Sequence, residues 1–331
     1  MRALSLLLIL AVVAVGSSSL AQNPAADKPA VQPATAPTLM PARTFNSPLP
    51  LMVWVRTDQG DGGRKKVGLT PASEPIKIPA CLDWGVQPQA GASLDTVIKE
   101  MQAQSIPGLS LAAATDDDLA KLKVLSGLRL LCLGATKVTD AGLENLKDLT
   151  ELQFLDLVHD PITDAGLAQL KNLKKMQWLN IAFTRVTGAG METVGGFPDL
   201  KRLDLGGVNV KEVGMGHLKG LLHLQSLDLN GAAVTDAGLA YVKDMKELRE
   251  LGLMGSLVTD AGLVHCKDLK NLHELGLVGS KGITDAGLVN LKGLTELKGL
   301  NLVRTQVTDA GVADLQTALP NCRIGWNYAK K

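Results

Sequence analysis

The side chains that could carry out chemistry are few and lie far apart along the chain. The 331 residues include five histidines and four cysteines. The histidines fall in different repeats of the pattern described below: His159, His217, His223, His265 and His273. Nucleophilic catalysis needs a Ser or Cys beside a base such as His, and no such group converges in this pattern. The sequence therefore argues against an enzyme, and it predicts no cofactor and no catalytic residue.

The elements that would position any functional side chain come from a repeat with a period of 24 residues. The stretch Val138-Thr139-Asp140-Ala141-Gly142-Leu143 recurs as residues 162–167, 234–239, 258–263 and 283–288, with weaker copies at 186–191, 210–215 and 307–312. Every step between copies is 24 residues except one of 25, where the loop 279–282 carries an extra residue. A fixed period of this length is the signature of a solenoid.

Each repeat predicts one short strand and one short helix. After Thr139, apolar residues recur as Leu143, Leu146, Leu149, Leu152, Leu155 and Leu157. The last two are two positions apart, as in a strand with one buried face, and the earlier ones are three apart, as in a helix leading into a tighter turn. The threonine is a good N-cap, and the aspartate after it suits the positive end of the helix. Stacked repeats then give an α/β solenoid, with a parallel sheet on the concave face and short helices on the convex face.

A glycine follows each of these threonines by three residues, as in Gly142, Gly166 and Gly238. Glycine is a poor helix former, yet it stands where each helix begins. The column predicts either a close approach of the neighbouring repeat or a backbone angle that only glycine accepts.

The pattern Leu155-x-Leu157-x-x-Asp160-x-Ile162-Thr163-Asp164-Ala165-Gly166-Leu167 resembles the leucine-rich repeat family. Its V-T-D-A-G-L form is similar to bacterial secreted repeat proteins and to the repeat arrays of F-box adaptors. The resemblance covers residues 107–331 and implies a curved horseshoe of about nine repeats, C-terminal cap included, acting in protein–protein interaction. The family usually carries Asn three positions before the threonine. Here that column reads Thr136, Asp160, Thr184, Val208, Ala232, Ser256 and Thr305, so its polar ladder is interrupted at Val208 and Ala232.

The sequence before the repeats divides into three segments. Residues 1–21 predict a signal peptide, with Arg2, an apolar run over 3–15 and the small-x-small site Ser19-Leu20-Ala21. Residues 22–50 are rich in Pro and Ala and predict a disordered linker. In residues 51–106, strands over 51–57 and 66–70 are expected to pair as a hairpin, and 93–104 to form a helix. Since the first coil of a solenoid would expose its core, residues 51–106 are expected to form an N-terminal capping region.

The four cysteines have no metal-ligand spacing, so no metal site is predicted. In the repeat register Cys266 takes a core position whereas Cys132 points out of a strand, so the two do not face each other. Cys81 and Cys132 are expected to lie about two strands apart, on the order of 9–10 Å, beyond the reach of a disulfide. The register favours free thiols, Cys322 included.

Side chains that flank the strand leucines are expected to line up on the concave face, about 4.8 Å apart across strands. One column reads Cys132, Asp156, Asn180, Asp204, Asp228, Gly252, Gly276 and Asn301. The other reads Leu130, Phe154, Trp178, Arg202, Ser226, Glu250, Glu274 and Gly299. Exposed apolar residues at the start of the second column indicate an interaction site. The alternatives are that the linker or cap covers Phe154 and Trp178, and that the polar residues only keep the sheet soluble.

Together these features predict an exported, secreted or periplasmic, protein-binding module that uses its concave face and has no transmembrane segment after signal removal. Phe154 and Trp178 are the expected apolar anchors, and the polar contacts are expected from Asp156, Asn180, Arg202, Asp204 and Asp228. The acidic members favour a partner with a basic surface. If neither aromatic residue fills the core, Trp178→Ala should leave stability nearly unchanged. A monomer is expected, and the net charge of +1 gives no reason to expect nucleic acid.

Two other classes of function remain as alternatives to a binding module. One is a structural protein of the cell envelope. The other is an F-box-like ubiquitin ligase adaptor, as part of the family resemblance implies. The adaptor needs an F-box helical segment before the repeats, and the predicted signal peptide and linker stand there instead.

Overall fold

The computed structural model describes residues 39–56 and 64–326. The predicted signal peptide, the linker up to residue 38 and the last five residues of the chain lie outside these described residues. In the part of the chain that the structure describes, no helix is both long and apolar enough to cross a membrane.

The strands build one large, mostly parallel sheet of 13 strands and one small sheet. They are β1 (Arg43–Phe45), β2 (Leu51–Arg56), β3 (Lys65–Leu69), β4 (Ile76–Ile78), β5 (Asp83–Pro88), β6 (Gly108–Ser110), β7 (Leu130–Cys132), β8 (Phe154–Asp156), β9 (Trp178–Asn180), β10 (Arg202–Asp204), β11 (Ser226–Asp228), β12 (Glu250–Gly252), β13 (Glu274–Gly276), β14 (Gly299–Asn301) and β15 (Arg323–Gly325). Strands β5 to β15 are neighbours in chain order, and β2 and β3 extend the sheet beyond β5. The β2–β3 pair is the predicted hairpin, and β2 also runs antiparallel to β5.

Each repeat returns from its strand through a short helix, as the spacing predicts. The α-helices are α1 (Leu94–Gln104), α2 (Asp116–Leu122), α3 (Asp140–Leu143), α4 (Asp164–Ala168), α5 (Met191–Val194), α6 (Lys211–Leu218), α7 (Asp236–Leu239), α8 (Asp260–Leu263), α9 (Asp285–Leu288) and α10 (Asp309–Ala318). A 3-10 turn continues four of the helices, over Glu144–Leu146, Ala240–Val242, Val264–Cys266 and Val289–Leu291, and a fifth, Gly188–Gly190, precedes α5. The tighter turn sets a period of three for the buried side chains.

The core lies between the sheet and the helices. In the repeat that begins at Thr139, the six predicted leucines from Leu143 to Leu157 are all 1% exposed or less. Burying each leucine contributes about 1.5–3 kcal/mol. A single repeat cannot bury its leucines alone, so this energy becomes available only when repeats stack. All four cysteines are buried free thiols, in agreement with the predicted register.

A ladder of Asp–Thr hydrogen bonds joins the helix starts of successive repeats. The Asp140 carboxylate accepts from the Thr163 backbone N–H at 2.8 Å and from the Thr163 hydroxyl. Asp236 accepts from Thr259 in the same way, at 2.7 Å and 2.6 Å. The pattern recurs at Asp116, Asp164, Asp260 and Asp285. The sequence assigns these aspartates only a helix-dipole role, so their bridging of repeats is new.

The ladder explains the glycine column. A Cβ atom on Gly166 would overlap the Oδ1 atom of Asp140 and lie 2.9 Å from its Cα atom. The predicted close approach is therefore correct, and the special backbone angle is not, because Gly166 and Gly238 are absent from the positive-φ residues. Gly238 is the exception in packing. Glu212 replaces the aspartate of the preceding repeat, and the nearest atoms would lie 3.4 Å from a Cβ at Gly238.

The second polar column, three residues before each threonine, is interrupted where the sequence predicts. Asp160 accepts from the Thr136 backbone N–H at 2.7 Å and from its hydroxyl at 2.9 Å. Val208 and Ala232 are fully buried apolar residues. Farther along, Ser256 and Ser280 are joined at 3.0 Å between their hydroxyl oxygens. Because this repeat has 25 residues, Ser280 lies four positions before Thr284 and takes the place of the column residue.

We propose that residues 51–106 cap the N-terminal end of the solenoid, supported by three observations. Strand β2 and its neighbours continue the sheet past the first repeat. Helix α1 begins as predicted, with the Ser93 hydroxyl accepting from the Thr96 N–H at 3.3 Å. Buried Asp83 pairs with Arg56 at 2.7 Å and with Arg129 of the first repeats at 3.4 Å. At the other end, the Trp326 indole N–H donates to Asp309 at 2.8 Å.

Candidate functional site on the concave face

The concave face brings together the residues that the sequence predicts as a site. In the register of β8 and β9, Phe154 lies beside Trp178 and Asp156 beside Asn180. In the register of β10 and β11, Asp204 lies beside Asp228. The column order is therefore as expected.

The exposure of the two aromatic residues is not as expected. Phe154 is 2% exposed and Trp178 is 9% exposed. Their rings stack with centroids 3.8 Å apart and planes 1° apart. They belong to a second apolar cluster, formed by Trp54, Leu130, Cys132, Phe154 and Trp178 and called here the aromatic cluster. The prediction of an exposed aromatic stripe is wrong, so the condition under which Trp178→Ala would leave stability nearly unchanged is not met.

The N-terminal hairpin explains this burial. A Cβ on Gly108 would lie 2.8 Å from the Trp54 ring, and one on Gly85 would overlap it, so Trp54 lies flat across both glycines. The Arg56 guanidinium lies 5.5 Å from the centroid of the Phe154 ring. The alternative that the cap covers these aromatics is therefore correct for Phe154, whose ring in turn stacks on Trp178. A glycine within a strand marks a place of close approach, which is the signal that the sequence offered at Gly85 and Gly108.

The polar column fixes the ends of its strands. One side-chain oxygen of each residue accepts a backbone N–H two residues later: Asp156 from Val158 at 3.2 Å, Asn180 from Ala182 at 3.0 Å, Asp204 from Gly206 at 3.2 Å and Asp228 from Asn230 at 2.8 Å. Such local bonds are typical of Asx turns. These residues therefore have a structural role in addition to any contact with a partner.

The same column holds negative charge that the fold only partly compensates. Burial and the nearby Asp228 carboxylate raise the pKa of Asp204 to about 7. Burial also raises the pKa values of Asp156 and Asp228. Arg202 is the nearest cation on the neighbouring column, and it is shared with Glu250 at 3.8 Å. A cationic group on the concave face would stabilise the ionised carboxylates.

Asp204→Asn is expected to make stability less dependent on pH. The pKa of Asp204 in the folded chain is about 7, above the ordinary value of 3.8, so only the folded chain holds this proton between those values. Its contribution is therefore fully present below about pH 4 and is lost as pH rises through about pH 7. Asparagine keeps the acceptor for Gly206 and carries no charge. In urea titrations, the free energy of unfolding should decrease less between pH 5 and pH 8 for the variant than for wild type. At pH 8 the variant should be more stable than wild type by about 1–3 kcal/mol. The substitution Asp244→Asn, at an exposed position, serves as control. The same change of unfolding free energy with pH in both variants would contradict the prediction.

Sequence reasoning missed one exposed aromatic pair beside this column. Phe183 is 40% exposed, and its ring stacks on that of exposed His159 with centroids 4.7 Å apart. Both residues have positive φ, of 56° and 63°. Bulky side chains rarely adopt this conformation. The signal in the sequence was that the same repeat position carries glycine in four later repeats: Gly207, Gly231, Gly255 and Gly279.

The described residues offer little for metal chemistry. Within residues 39–56 and 64–326, no group of three or more His, Cys, Asp and Glu side chains is arranged to hold a metal ion. Burial raises the pKa of Cys132 to about 12, which disfavours the nucleophilic thiolate.

Comparison with known proteins gives matches in structure. No protein-family model and no curated protein matches the chain. Internalin C2 from Listeria monocytogenes is 24% identical with a TM-score of 0.50, and the match covers 71% of this chain and 92% of that chain. An internalin (inlF) from the same organism is 17% identical with a TM-score of 0.49, covering 67% of this chain and 72% of that chain. The fold of this chain is a leucine-rich repeat solenoid.

Proposed function

We propose that this chain is a recognition module that binds a protein partner on its concave face. The observation that carries the proposal is the row of acidic side chains Asp156, Asp204 and Asp228, aligned on rigid strands and carrying raised pKa values. A surface that only had to stay soluble would not need carboxylates whose ionisation is disfavoured. Charged groups of this kind direct encounter and specificity when a complementary partner approaches.

The proposed contacts are the polar residues of the predicted site. Asp156, Asn180, Arg202, Asp204 and Asp228 lie on the consecutive strands β8 to β11. Phe154 and Trp178 lie in the neighbouring column, two residues before Asp156 and Asn180, and both are buried in the aromatic cluster. The partner proposed is a protein with a basic surface, bound by a single copy of the chain. Binding of this kind needs no cofactor and no catalytic step.

Charge reversal on the concave face is expected to abolish capture of the partner. Asp204→Lys with Asp228→Lys places two cations where a basic partner would bind, and repulsion should weaken capture at least about tenfold. The comparison is affinity capture from the source cells with the wild-type chain, this double variant and Asp244→Lys, an exposed carboxylate outside the concave columns.

The partner should be retained by wild type and Asp244→Lys and lost from the double variant. A far-UV circular dichroism spectrum identical to wild type is needed from each variant. Equal capture by all three chains would remove the concave face from the function.

We also propose that the chain acts outside the cytoplasm, supported by the signal-like composition of residues 1–21. The mature protein is then expected to begin close to Gln22. N-terminal sequencing of the protein isolated from its source measures this directly. An intact Met1 on a cytosolic protein would contradict export.

A further inference from the structure

We infer that the partner presents an extended, arginine- or lysine-bearing segment, which lies on a glycine-floored shelf at the strand exits and packs against the Phe183–His159 pair. The inference rests on the proposed function and deepens it by naming the chemistry of the partner. The shelf is defined by Gly231, Gly255 and Gly279 in the loops and by Gly252 and Gly276 on the adjoining strands.

The residues at the strand exits share an unusual backbone conformation. One position in successive repeats has positive φ: Ala135, His159, Phe183, Gly207, Gly231, Gly255, Gly279 and Arg304. Glycine accepts this conformation at no steric cost, whereas a phenylalanine is strained there. Strained residues persist where the surrounding structure holds them, and they cluster at functional sites. Phe183 is held by its backbone N–H, which donates to the Gly206 carbonyl at 2.7 Å.

Phe183 and His159 form an exposed aromatic pair at this position. The chain has four phenylalanines, and the other three, Phe45, Phe154 and Phe197, are 3% exposed or less. Phe183 is 40% exposed, and it lies against Gly207, where a Cβ would come within 2.7 Å of the ring. The ring therefore forms a fixed apolar wall at the end of the shelf. Large rigid aromatics of this kind are the usual anchors of interfaces.

The floor of the shelf has unoccupied space above two of its glycines. A Cβ on Gly255 would meet nothing within 4 Å, and one on Gly276 would meet only the Gly252 Cα atom, at 3.9 Å. Gly255 and Gly276 are therefore not required by internal packing. A Cβ on Gly252 would lie 2.8 Å from the Asp228 carboxylate, so Gly252 leaves room for Asp228 rather than for a partner. Glycine within a strand allows another backbone to approach closely. An extended segment fits such a narrow floor, which crosses neighbouring strands about 4.8 Å apart.

The side chains beside the shelf are mostly acidic. Asp204 and Asp228 lie next to the floor on β10 and β11, and Glu250 and Glu274 precede its strand glycines on β12 and β13. Arg202 lies 3.8 Å from Glu250. Burial raises the pKa of Glu274, and Arg323 and Lys298 partly offset this rise. A guanidinium or ammonium group from the partner would complement these carboxylates, and the Phe183 ring would favour it through a cation–π contact. A basic segment therefore fits better than an acidic or neutral one.

A displayed library of random dodecapeptides, selected on the full chain, tests this inference. We expect enrichment of peptides rich in Arg and Lys. Two variants address the two ends of the shelf. Phe183→Ala removes the wall, and Gly276→Leu fills the floor at a position where a Cβ makes only an ordinary 3.9 Å contact with Gly252. Fluorescence anisotropy with an enriched basic peptide should show roughly tenfold weaker binding to each variant. Gly220→Leu is the matched control, since a Cβ there meets nothing within 4 Å and Gly220 lies outside the concave columns.

The outcomes separate this inference from the proposed function. Basic peptides that bind Gly276→Leu and Phe183→Ala as well as they bind wild type would overturn the shelf. Enriched acidic or uncharged peptides that are lost on Asp204→Lys would overturn the basic segment and leave concave binding in place. A selection without any enrichment would also overturn the extended segment, and the capture experiment would then decide the proposed function by itself.

Discussion

Trp178→Ala is expected to lower the free energy of unfolding by about 3–5 kcal/mol, the usual cost of truncating a buried aromatic side chain. Trp178 stacks on Phe154 at 3.8 Å, and both belong to the aromatic cluster that joins the N-terminal hairpin to the first repeats. Removing the indole leaves a cavity between β8 and β10 and exposes Phe154. Urea titration followed by far-UV circular dichroism measures the loss.

Phe183→Ala is the matched control for this prediction. It truncates an aromatic residue five positions later, but Phe183 is 40% exposed and stacks on the exposed His159. Its expected effect is below about 1 kcal/mol, as for most surface substitutions. A Trp178→Ala chain that unfolds at the wild-type urea concentration would show that the hairpin does not cover this part of the sheet.

Gly166→Ala is expected to destabilise the chain by about 1–3 kcal/mol, the range found for overpacking. The new Cβ would overlap the Asp140 carboxylate, whose two oxygens already accept from Thr163. It would also lie 2.9 Å from the Asp140 Cα, which side-chain rotation cannot relieve. The same titration measures the effect.

Gly238→Ala offers the opposite sign at the same place in the repeat. Both glycines stand third in a D-A-G-L helix start, but a Cβ on Gly238 would have ordinary contacts of 3.4 Å with Met215 and Val234. Alanine is better than glycine in a helix, so this variant should gain about 0.5–1 kcal/mol. A loss of similar size in both variants would show that the Asp–Thr ladder is not the reason for the column.

The repeat architecture could be predicted because its signal is local and is copied many times. Thr139 and the leucines that follow it fix the helix start, the buried face and the strand in every repeat. The Asp–Thr ladder was harder to predict, because it joins residues of successive repeats. The same Asp and Thr recur in most repeats, so the sequence does not show which of them pair. The two imperfect repeats contain the clue: Gly188 replaces the aspartate of one, and Lys211 replaces the threonine of the next.

The candidate site was predicted in register but not in exposure. The period places Asp156, Asp204 and Asp228 in one column, and the structure agrees. It says nothing about Trp54, which lies in an irregular segment before the repeats and covers the concave face through a long-range contact. Phe183 was missed for a different reason. What sets Phe183 apart is its positive φ angle, and the sequence shows this only through glycines at the same position of later repeats.

Amide hydrogen exchange of the chain with and without its captured partner tests the central claim, that the concave face is the binding surface. Backbone amides lose exchange where a partner covers or rigidifies them. The account predicts new protection at the strand exits, residues 204–207, 228–231 and 252–255, with unchanged exchange in the convex helices α3 and α4. Protection confined to the convex helices, with exchange at the strand exits the same as in the free chain, would contradict it.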